Sequence, residues 1–195
     1  MDLAEQRDIE TQVYQPAEDT DLLRKTAEAW VEAGDRVLEV GTGSGYIAAK
    51  LAELDAEVVG ADVNPHACRQ ARENGVEAVR ADLVAPFRDD SFDWVVFNPP
   101  YLPRDQDAER DDWMEVALTG GENGRALIEP FVETVRRVLK PGGEALMLAS
   151  SLTGLDAVRD HARANGFATM EAASESHPFE RLVVLRLITH GHQTD

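Results

Sequence analysis

Strand and helix patterns alternate along most of the chain, and this alternation limits the possible folds more than any other feature. Short runs of β-branched and aromatic residues, such as Val37–Val40 and Phe92–Phe97, are separated by helical segments such as Pro65–Asn74. Neighbouring parallel strands need long crossover connections, and helices are the usual ones. The sequence therefore predicts an α/β fold, in which a mostly parallel sheet carries helices on both faces.

The other predicted elements follow the same pattern, with proline and glycine near their ends. Helices are predicted at residues 16–33, 46–54, 65–74, 123–139 and 155–165, and a turn at 140–143. Strands are predicted at residues 37–40, 57–61, 77–80, 92–97, 144–150, 167–173 and 180–188, and a loop at 98–122. We expect a single domain at 16–189, with a flexible arm at 1–15 and a tail at 190–195.

A glycine-rich turn follows the first strand and enters the next helix. Glycines at positions 41, 43 and 45 let the backbone bend sharply and approach a ligand closely. Tyr46 stands where a dinucleotide-binding turn has its last glycine, and no lysine follows to form a triphosphate loop. The turn therefore predicts a ligand without pyrophosphate.

Two acidic residues end the next two strands. Asp62 stands where this type of fold places an acceptor for ribose hydroxyls. Asp82, with the following Leu83, could bracket a purine through a carboxylate and a backbone N–H. Either acid alone could instead be a strand-end cap. Together with the glycine turn, they indicate an adenosine ligand that carries something other than phosphate.

The tetrad Asn98–Pro99–Pro100–Tyr101 follows the predicted strand Phe92–Phe97. Each proline fixes its own φ and pushes the residue before it into extended geometry, so the Asn98 amide stands on a stiff backbone. The tetrad could simply be a proline-rich strand exit. We favour a preorganised site that grips a small planar group bearing N–H, because a turn that needs only flexibility uses glycine, serine or aspartate.

The glycine turn, the two strand-end acids and the tetrad together resemble class I S-adenosylmethionine-dependent methyltransferases. The tetrad is similar to that of enzymes that methylate planar nitrogens: amino groups of adenine or cytosine, guanine of RNA, or glutamine amides. Two further stretches, Tyr14–Thr20 and Ala117–Gly124, resemble the HemK group of protein-glutamine methyltransferases. The sequence lacks the N-terminal helical domain of bacterial HemK proteins, which implies the short archaeal and eukaryotic branch.

The resemblance implies a Rossmann-like sheet of order 3-2-1-4-5-7-6 with an antiparallel last strand, and S-adenosyl-L-methionine as the cofactor. The implied substrate is the glutamine of the Gly-Gly-Gln motif in a class-1 translation release factor. A small zinc-binding activator subunit would form a heterodimer with the chain, and strand pairing at Glu77–Ala81 is one way to join the two. The implied catalytic residues are Asn98, Pro99 and Tyr101; the implied cofactor-binding residues are Glu18, Thr20, Glu39, Gly41, Thr42, Gly43, Gly45, Asp62, Val63, Asp82, Leu83 and Asn98.

The charge of the chain bears on its substrate. With 37 acidic and 19 basic residues, the formal net charge is −18. Such a surface either repels nucleic acid or is adapted to high salt, and we favour a haloarchaeal type of composition because the acids are spread along the whole chain. Nucleic-acid enzymes need Lys and Arg to contact phosphate, and acids outnumber Arg104 and Arg110 near the tetrad. A nucleic-acid N-methyltransferase, acting on N6 of adenine in DNA or on guanine or adenine in RNA, remains the alternative.

Three sequence features bear on the cellular location and on metal binding: the cysteine count, the length of the apolar runs and the first residues. The single Cys68 excludes an intrachain disulfide and cannot by itself form a metal site. There is no apolar run of about 18 residues, and the acidic start is unlike a signal peptide. We expect a soluble cytoplasmic enzyme with no bound metal and no membrane contact.

Overall fold

The computed structural model describes Val13 and residues 16–101, 120–121 and 123–189. The predicted tail and most of the predicted loop at 98–122 lie outside these residues. So does the predicted arm, except for Val13, which is buried. In the described part of the chain, no helix is both long and apolar enough to span a membrane.

Helices and strands alternate in the order that the sequence pattern predicts. The elements are α1 (Glu18–Glu28), β1 (Arg36–Val40), α2 (Tyr46–Ala52), β2 (Glu57–Asp62), α3 (Pro65–Glu73), β3 (Glu77–Arg80), β4 (Phe92–Phe97), α4 (Ile128–Val138), β5 (Leu139–Ser150), α5 (Leu155–Ala164), β6 (Phe167–Ser176) and β7 (Arg181–Thr189). A short 3₁₀ turn, Ser151–Thr153, links β5 to α5.

The strands form one seven-stranded sheet of order β3-β2-β1-β4-β5-β7-β6. Strands β1 to β5 run parallel, and β7 lies antiparallel to both of its neighbours. The predicted strand order and the antiparallel last strand are therefore confirmed. One edge strand, β6, carries a bulge between Glu171 and Ala173, whereas β3 at the other edge pairs regularly with β2.

Hydrophobic residues cover both faces of this sheet. The side chains of Val95 and Val96 in β4 point to opposite faces and belong to different core clusters. Helices α1 and α2 pack on the Val96 side through residues such as Leu23 and Leu51. Helices α4 and α5 cover the Val95 side. Burial on both faces explains why β4 reads as a continuous apolar run rather than an alternating one.

Several element boundaries differ from the predicted ones. Helix α1 spans Glu18–Glu28 rather than 16–33, because the chain turns after Glu28 and Trp30 packs against Trp94, with ring centroids 6.2 Å apart. The predicted start of α4 at 123 is wrong, since Gly124 adopts a φ of +72° and the helix begins at Ile128. Strand β6 continues beyond the predicted end at 173.

The turn predicted at 140–143 is instead a bulge within β5. Phe92 pairs with Leu139, and Trp94 pairs with Glu144, so residues 140–143 lie opposite the single Asp93. Pro141 has no N–H for the ladder, and Gly142 has a φ of +82°. The helix therefore passes directly into the strand.

The strand order also determines where a ligand can bind. From β1 the sheet continues through β2 on one side, and from β4 it continues through β5 on the other. In open α/β sheets, the crevice at such a switch point, outside the carboxyl ends of the strands, is the usual ligand site. Here this crevice lies beyond Val40 and Phe97.

Candidate active site

A cavity of about 350 Å³ opens at the carboxyl ends of β1, β2, β3 and β4. This volume is typical of small-molecule sites. Most of the predicted site residues line the cavity: Thr20, Glu39, Gly41, Thr42, Gly43, Asp62, Val63, Asp82, Leu83 and Asn98. Four predicted residues are not part of its wall: Glu18, Gly45, Pro99 and Tyr101.

The glycine-rich turn forms one wall of the cavity, and its shape depends on positive φ angles. Gly41 and Gly43 have φ values of +64° and +54°, which L side chains rarely adopt. Thr42 lies over β2, where a Cβ atom on Gly60 would come within 2.6 Å of Thr42 Oγ1. Gly45 faces away from the cavity, and its own Cβ would lie 3.0 Å from the Cβ of Ala71 in α3.

Glu39 lies at the base of this turn and is almost fully buried. Its Oε2 accepts hydrogen bonds from Thr42 Oγ1 at 2.5 Å and from the Ala48 backbone N–H at 3.0 Å. Burial raises the pKa of Glu39 to about 8; the two hydrogen bonds oppose the shift, and the nearby Asp62 charge adds to it. The cavity therefore has a carboxyl group at its floor that can hold a proton near neutral pH.

Asp62 fixes the glycine turn to the end of β2. One carboxylate oxygen accepts from the Gly43 backbone N–H at 2.9 Å, and the other accepts from Asn64 N–H at 2.8 Å. Burial raises the pKa of Asp62, and these backbone hydrogen bonds oppose the shift. Each oxygen has a second lone pair, so Asp62 can still accept from hydroxyl groups of a ligand.

Asn98 directly follows β4, and the nitrogen and oxygen of its side-chain amide differ in their hydrogen bonding. Its Nδ2 donates to Asp19 Oδ2 at 3.1 Å and lies 3.5 Å from Thr20 Oγ1. Its Oδ1 is buried and has no hydrogen-bond partner among the described residues. Rotating the amide by half a turn would place an oxygen against the Asp19 carboxylate, so Asp19 determines which atom faces which way. A hydrogen-bond acceptor is thus left available beside the cavity.

Pro99 and Tyr101 stand behind this acceptor. Pro99 is buried. The Tyr101 ring packs against the core cluster on the α1 side, and its hydroxyl lies 3.5 Å from Asp19 Oδ2. A Cβ on Gly124 would come within 2.5 Å of the Tyr101 carbonyl oxygen, so the stretch that leads into α4 supports the tetrad directly.

The sequence reasoning missed Asp19, although it named both of its neighbours. Asp19 is only 5% exposed, whereas the Glu18 carboxylate is at the surface, 3.5 Å from His177 Nδ1. A signal was present, because Asp19 precedes Leu23 and Ala27 by four and eight residues and so shares their buried face. Other cavity-lining residues not predicted include Pro16, Tyr46, Asn64, Pro100 and Leu127.

Comparisons with known proteins identify the class of this site. A family model described as a methyltransferase domain matches residues 31–183. A candidate protein N5-glutamine methyltransferase from Methanocaldococcus jannaschii is 35% identical over 185 residues, which cover 91% of this chain and 92% of that protein. A release factor glutamine methyltransferase from Clostridium acetobutylicum is 30% identical, over 90% of this chain and 68% of that protein.

A solved structure of a methyltransferase complex is also similar to this chain. The E. cuniculi Mtq2–Trm112 complex, responsible for the methylation of the eRF1 translation termination factor, matches with a TM-score of 0.77 and 28% identity. The match covers 92% of this chain and 99% of that chain. The chain belongs to the HemK-like family of methyltransferases. It is an S-adenosylmethionine-dependent N-methyltransferase of the protein-glutamine type.

Proposed function

We propose that this enzyme methylates the side-chain amide nitrogen of the glutamine in the Gly-Gly-Gln motif of a class-1 translation release factor. The observation that carries the proposal is the buried Asn98 Oδ1 beside the cavity, which has no hydrogen-bond partner among the residues that the structure describes. An amide N–H of the substrate can supply that donor. The names of the relatives, which refer to glutamine and to termination factors, support the same substrate.

The cavity residues fit S-adenosylmethionine, which supplies an electrophilic methyl group when bound. We assign Asp62 to the ribose hydroxyls and the Asp82 carboxylate with the Leu83 N–H to the adenine, because each lines the cavity at a strand end. The remaining wall residues would surround the cofactor: Thr20, Glu39, Gly41, Thr42, Gly43 and Val63. Cofactor contacts of Glu18 and Gly45 stay predictions, since neither forms part of the wall.

The chain's own acceptors explain how an amide nitrogen can react. Its lone pair is delocalised into the carbonyl, so the nitrogen is a poor nucleophile. Asn98 Oδ1 and the Pro99 carbonyl would accept its two hydrogens and hold it in line for transfer. As the new C–N bond replaces the methyl–sulfur bond, the nitrogen becomes tetrahedral and cationic, and these acceptors bind it more strongly than in the ground state. Loss of one N–H proton to solvent then gives the neutral methylamide. Packing of Tyr101 against the amide plane stays a prediction.

We also propose that a small zinc-binding activator pairs with the exposed edge of β3. In the described part of the chain β3 pairs only with β2, so one side of Glu77–Arg80 forms an edge of the sheet. Arg72 binds the Ala78 carbonyl oxygen at this edge, and a partner strand would have to displace it or pair beside it. A partner strand could add there and extend the sheet. The Mtq2–Trm112 structure supports a two-chain arrangement for this type of enzyme.

The acidic surface and the substrate suggest where the enzyme works. We propose that it acts in the cytoplasm, where release factors meet ribosomes, and that the net charge of −18 reflects a haloarchaeal, high-salt interior. At about 1 M salt the Debye length falls to roughly 3 Å, so the many surface acids hardly repel one another.

Methyl transfer from radiolabelled cofactor to a release factor tests the proposed substrate. Two forms of the factor, with the Gly-Gly-Gln glutamine present or replaced by alanine, are incubated with the enzyme, with and without a candidate activator. We expect label only on the form with the glutamine. Label that persists after the replacement excludes this substrate, and label on added DNA or RNA instead favours the nucleic-acid alternative.

An Asn98→Ala variant tests the acceptor in the same assay. Loss of the side-chain acceptor should lower kcat on the order of 10²-fold or more, because this hydrogen bond strengthens in the transition state. Cofactor affinity, measured by calorimetry, should change little. Turnover close to that of the wild type would show that Asn98 Oδ1 is not the acceptor.

A further inference from the structure

Asp19 is a buried acid at the active site that neither the cofactor nor the substrate assignment uses. It lies in the first turn of α1 and is 5% exposed. Its Oδ2 accepts from Asn98 Nδ2 at 3.1 Å and lies 3.5 Å from the Tyr101 hydroxyl. Its Oδ1 accepts from the Thr20 hydroxyl at 3.3 Å. One carboxylate thus contacts two members of the tetrad and a cavity-lining threonine.

The contact with Asn98 has a directional consequence. A primary amide presents an oxygen on one side and an NH₂ group on the other, and the two ends have nearly the same shape. A carboxylate only accepts hydrogen bonds, so it selects the NH₂ end and turns Asn98 Oδ1 away from itself. The prolines fix the backbone of Asn98, but they do not determine which way its amide points. Asp19 supplies that missing constraint.

A role limited to the stability of α1 does not account for this geometry. The first turn of α1 also contains Glu18 and Asp21, which complement the helix dipole equally well. Neither of them is among the buried residues of the helix, whereas Asp19 is. Burial of a carboxylate is costly unless hydrogen bonds compensate for it, and two of the donors to Asp19, Asn98 Nδ2 and the Thr20 hydroxyl, belong to residues that line the cavity.

We propose that Asp19 is a positioning residue that holds the Asn98 amide with Oδ1 directed to the substrate nitrogen. This inference rests on the proposed role of Asn98 as the acceptor. Without Asp19, the amide would populate both orientations, and in one of them an NH₂ group would face the N–H of the substrate. Asp19 therefore acts through Asn98 rather than on the reacting atoms.

Three variants separate positioning from helix stability. Asp19→Ala removes the acceptor, Asp19→Asn keeps a carbonyl oxygen that can accept from Asn98 Nδ2, and Glu28→Ala removes another carboxylate from the same helix, one that pairs with Arg24. We expect Asp19→Ala to lower kcat about 10-fold or more, as for loss of a hydrogen bond to a charged group. Asp19→Asn should recover most of this loss, and Glu28→Ala should keep wild-type kcat. Cofactor affinity should be unchanged in all three.

A second readout needs no substrate. The side-chain amide resonances of Asn98 in NMR spectra, assigned by their absence in Asn98→Ala, report the environment of its NH₂ group. We expect them to shift and exchange faster with solvent in Asp19→Ala, and to stay close to wild type in Asp19→Asn and Glu28→Ala. If Asp19→Ala does not fold, Asp19→Leu replaces it, because leucine branches at Cγ as aspartate does and has no hydrogen-bond acceptor.

Two results would overturn the positioning role: wild-type kcat in Asp19→Ala with an active wild-type enzyme, or unchanged Asn98 amide resonances in that variant. Equal losses in Asp19→Ala and Asp19→Asn would also contradict it, since the negative charge rather than the orientation would then matter. If the wild-type enzyme does not modify the release-factor glutamine, the proposed function fails, and the resonances still decide whether Asp19 orients Asn98.

Discussion

Two buried polar groups at the cavity differ in how their hydrogen bonds are satisfied. Glu39 has a hydroxyl and a backbone N–H as donors, whereas Asn98 Oδ1 has no partner among the described residues. An unsatisfied buried acceptor costs roughly 1–3 kcal/mol. Folding alone gives no reason to keep such a cost at the end of β4. The residue that carries the cost is the one that the proposed reaction requires.

The raised pKa of Glu39 predicts a specific pH dependence of stability. The ordinary pKa is 4.5 and burial raises it to about 8, so between these values the folded protein holds a proton that the unfolded chain has lost. The stabilisation from this group is complete below about pH 4.5 and is lost as pH rises through the folded pKa near 8. Glutamine at this position cannot titrate, so Glu39→Gln should remove this part of the pH dependence.

Thermal melts of the cofactor-free protein, recorded between about pH 5 and pH 9, measure the difference. We expect the wild-type Tm to fall more steeply with rising pH than the Tm of Glu39→Gln. The variant also serves as the control for the other carboxylates, because it retains all of them. Parallel curves for the two proteins would mean that Glu39 is ionised throughout this range.

At the residue scale, the sequence indicates well which stretches of the chain form the site. It indicates less well which side chains within those stretches face the cavity. Residues at strand ends, such as Asp62 and Asp82, could be placed at the cavity because parallel strands end at the same edge. The orientation of side chains in the helical stretch before Leu23 is harder to predict. The direction of the Asp19 side chain depends on how α1 packs on the sheet. Its four-residue spacing from Leu23 is the sequence signal for that direction.

At the scale of elements, the segment before α4 and the tetrad after β4 depend on each other. Gly124 has a φ of +72°, and the position that a Cβ atom would take there faces the Tyr101 carbonyl. A methyl group there would come within 2.5 Å of that oxygen and 3.0 Å of Thr153 Cγ2. The 123–124 turn therefore acts as a support for the tetrad rather than as the first turn of a helix.

Gly124→Ala should consequently impair both stability and catalysis. We expect a loss of about 1–3 kcal/mol in unfolding free energy from strain and overpacking, with a fall in kcat on the order of tenfold as the tetrad shifts. Gly34→Ala is a matched control, since its φ is +86° but no described atom lies within 4 Å of the added Cβ. Urea titrations and methyl-transfer assays compare the two. Similar effects from both variants would show that only the backbone strain matters.

The ends of helices and strands are hardest to predict where tertiary contacts override the preferences of the local sequence. The predicted span of β4 is confirmed, because its buried apolar run has few other interpretations. The sequence predicts a turn at 140–143, since Pro141 and Gly142 are typical turn residues. Only the pairing of Leu139 and Glu144 with β4 shows that these residues interrupt a strand without ending it.

At the scale of the whole molecule, the net charge of −18 predicts salt-dependent stability. Self-repulsion among the acids should lower the Tm in dilute buffer, and screening should raise it as KCl approaches about 1–2 M, where the Debye length is roughly 3 Å or less. Sucrose, which stabilises proteins without screening charge, is the control. A Tm that stays flat from dilute buffer to multimolar KCl would refute an electrostatic origin of the acidic composition.

The two edges of the sheet have different consequences for assembly. The β6 edge is interrupted by the bulge at Glu171 and Ala173, and Arg159 and Arg181 form ion pairs with Glu171 there. A bulge and charged side chains both discourage the addition of another strand, whereas β3 pairs regularly with β2, without a described bulge. On this edge the Arg72 guanidinium binds the Ala78 carbonyl oxygen, at 2.6 and 2.8 Å. If a partner strand docks at β3 as proposed, it covers the regularly paired edge of the described sheet. Such a complex would contain one copy of each chain, and its sheet would offer no regular edge for further strands.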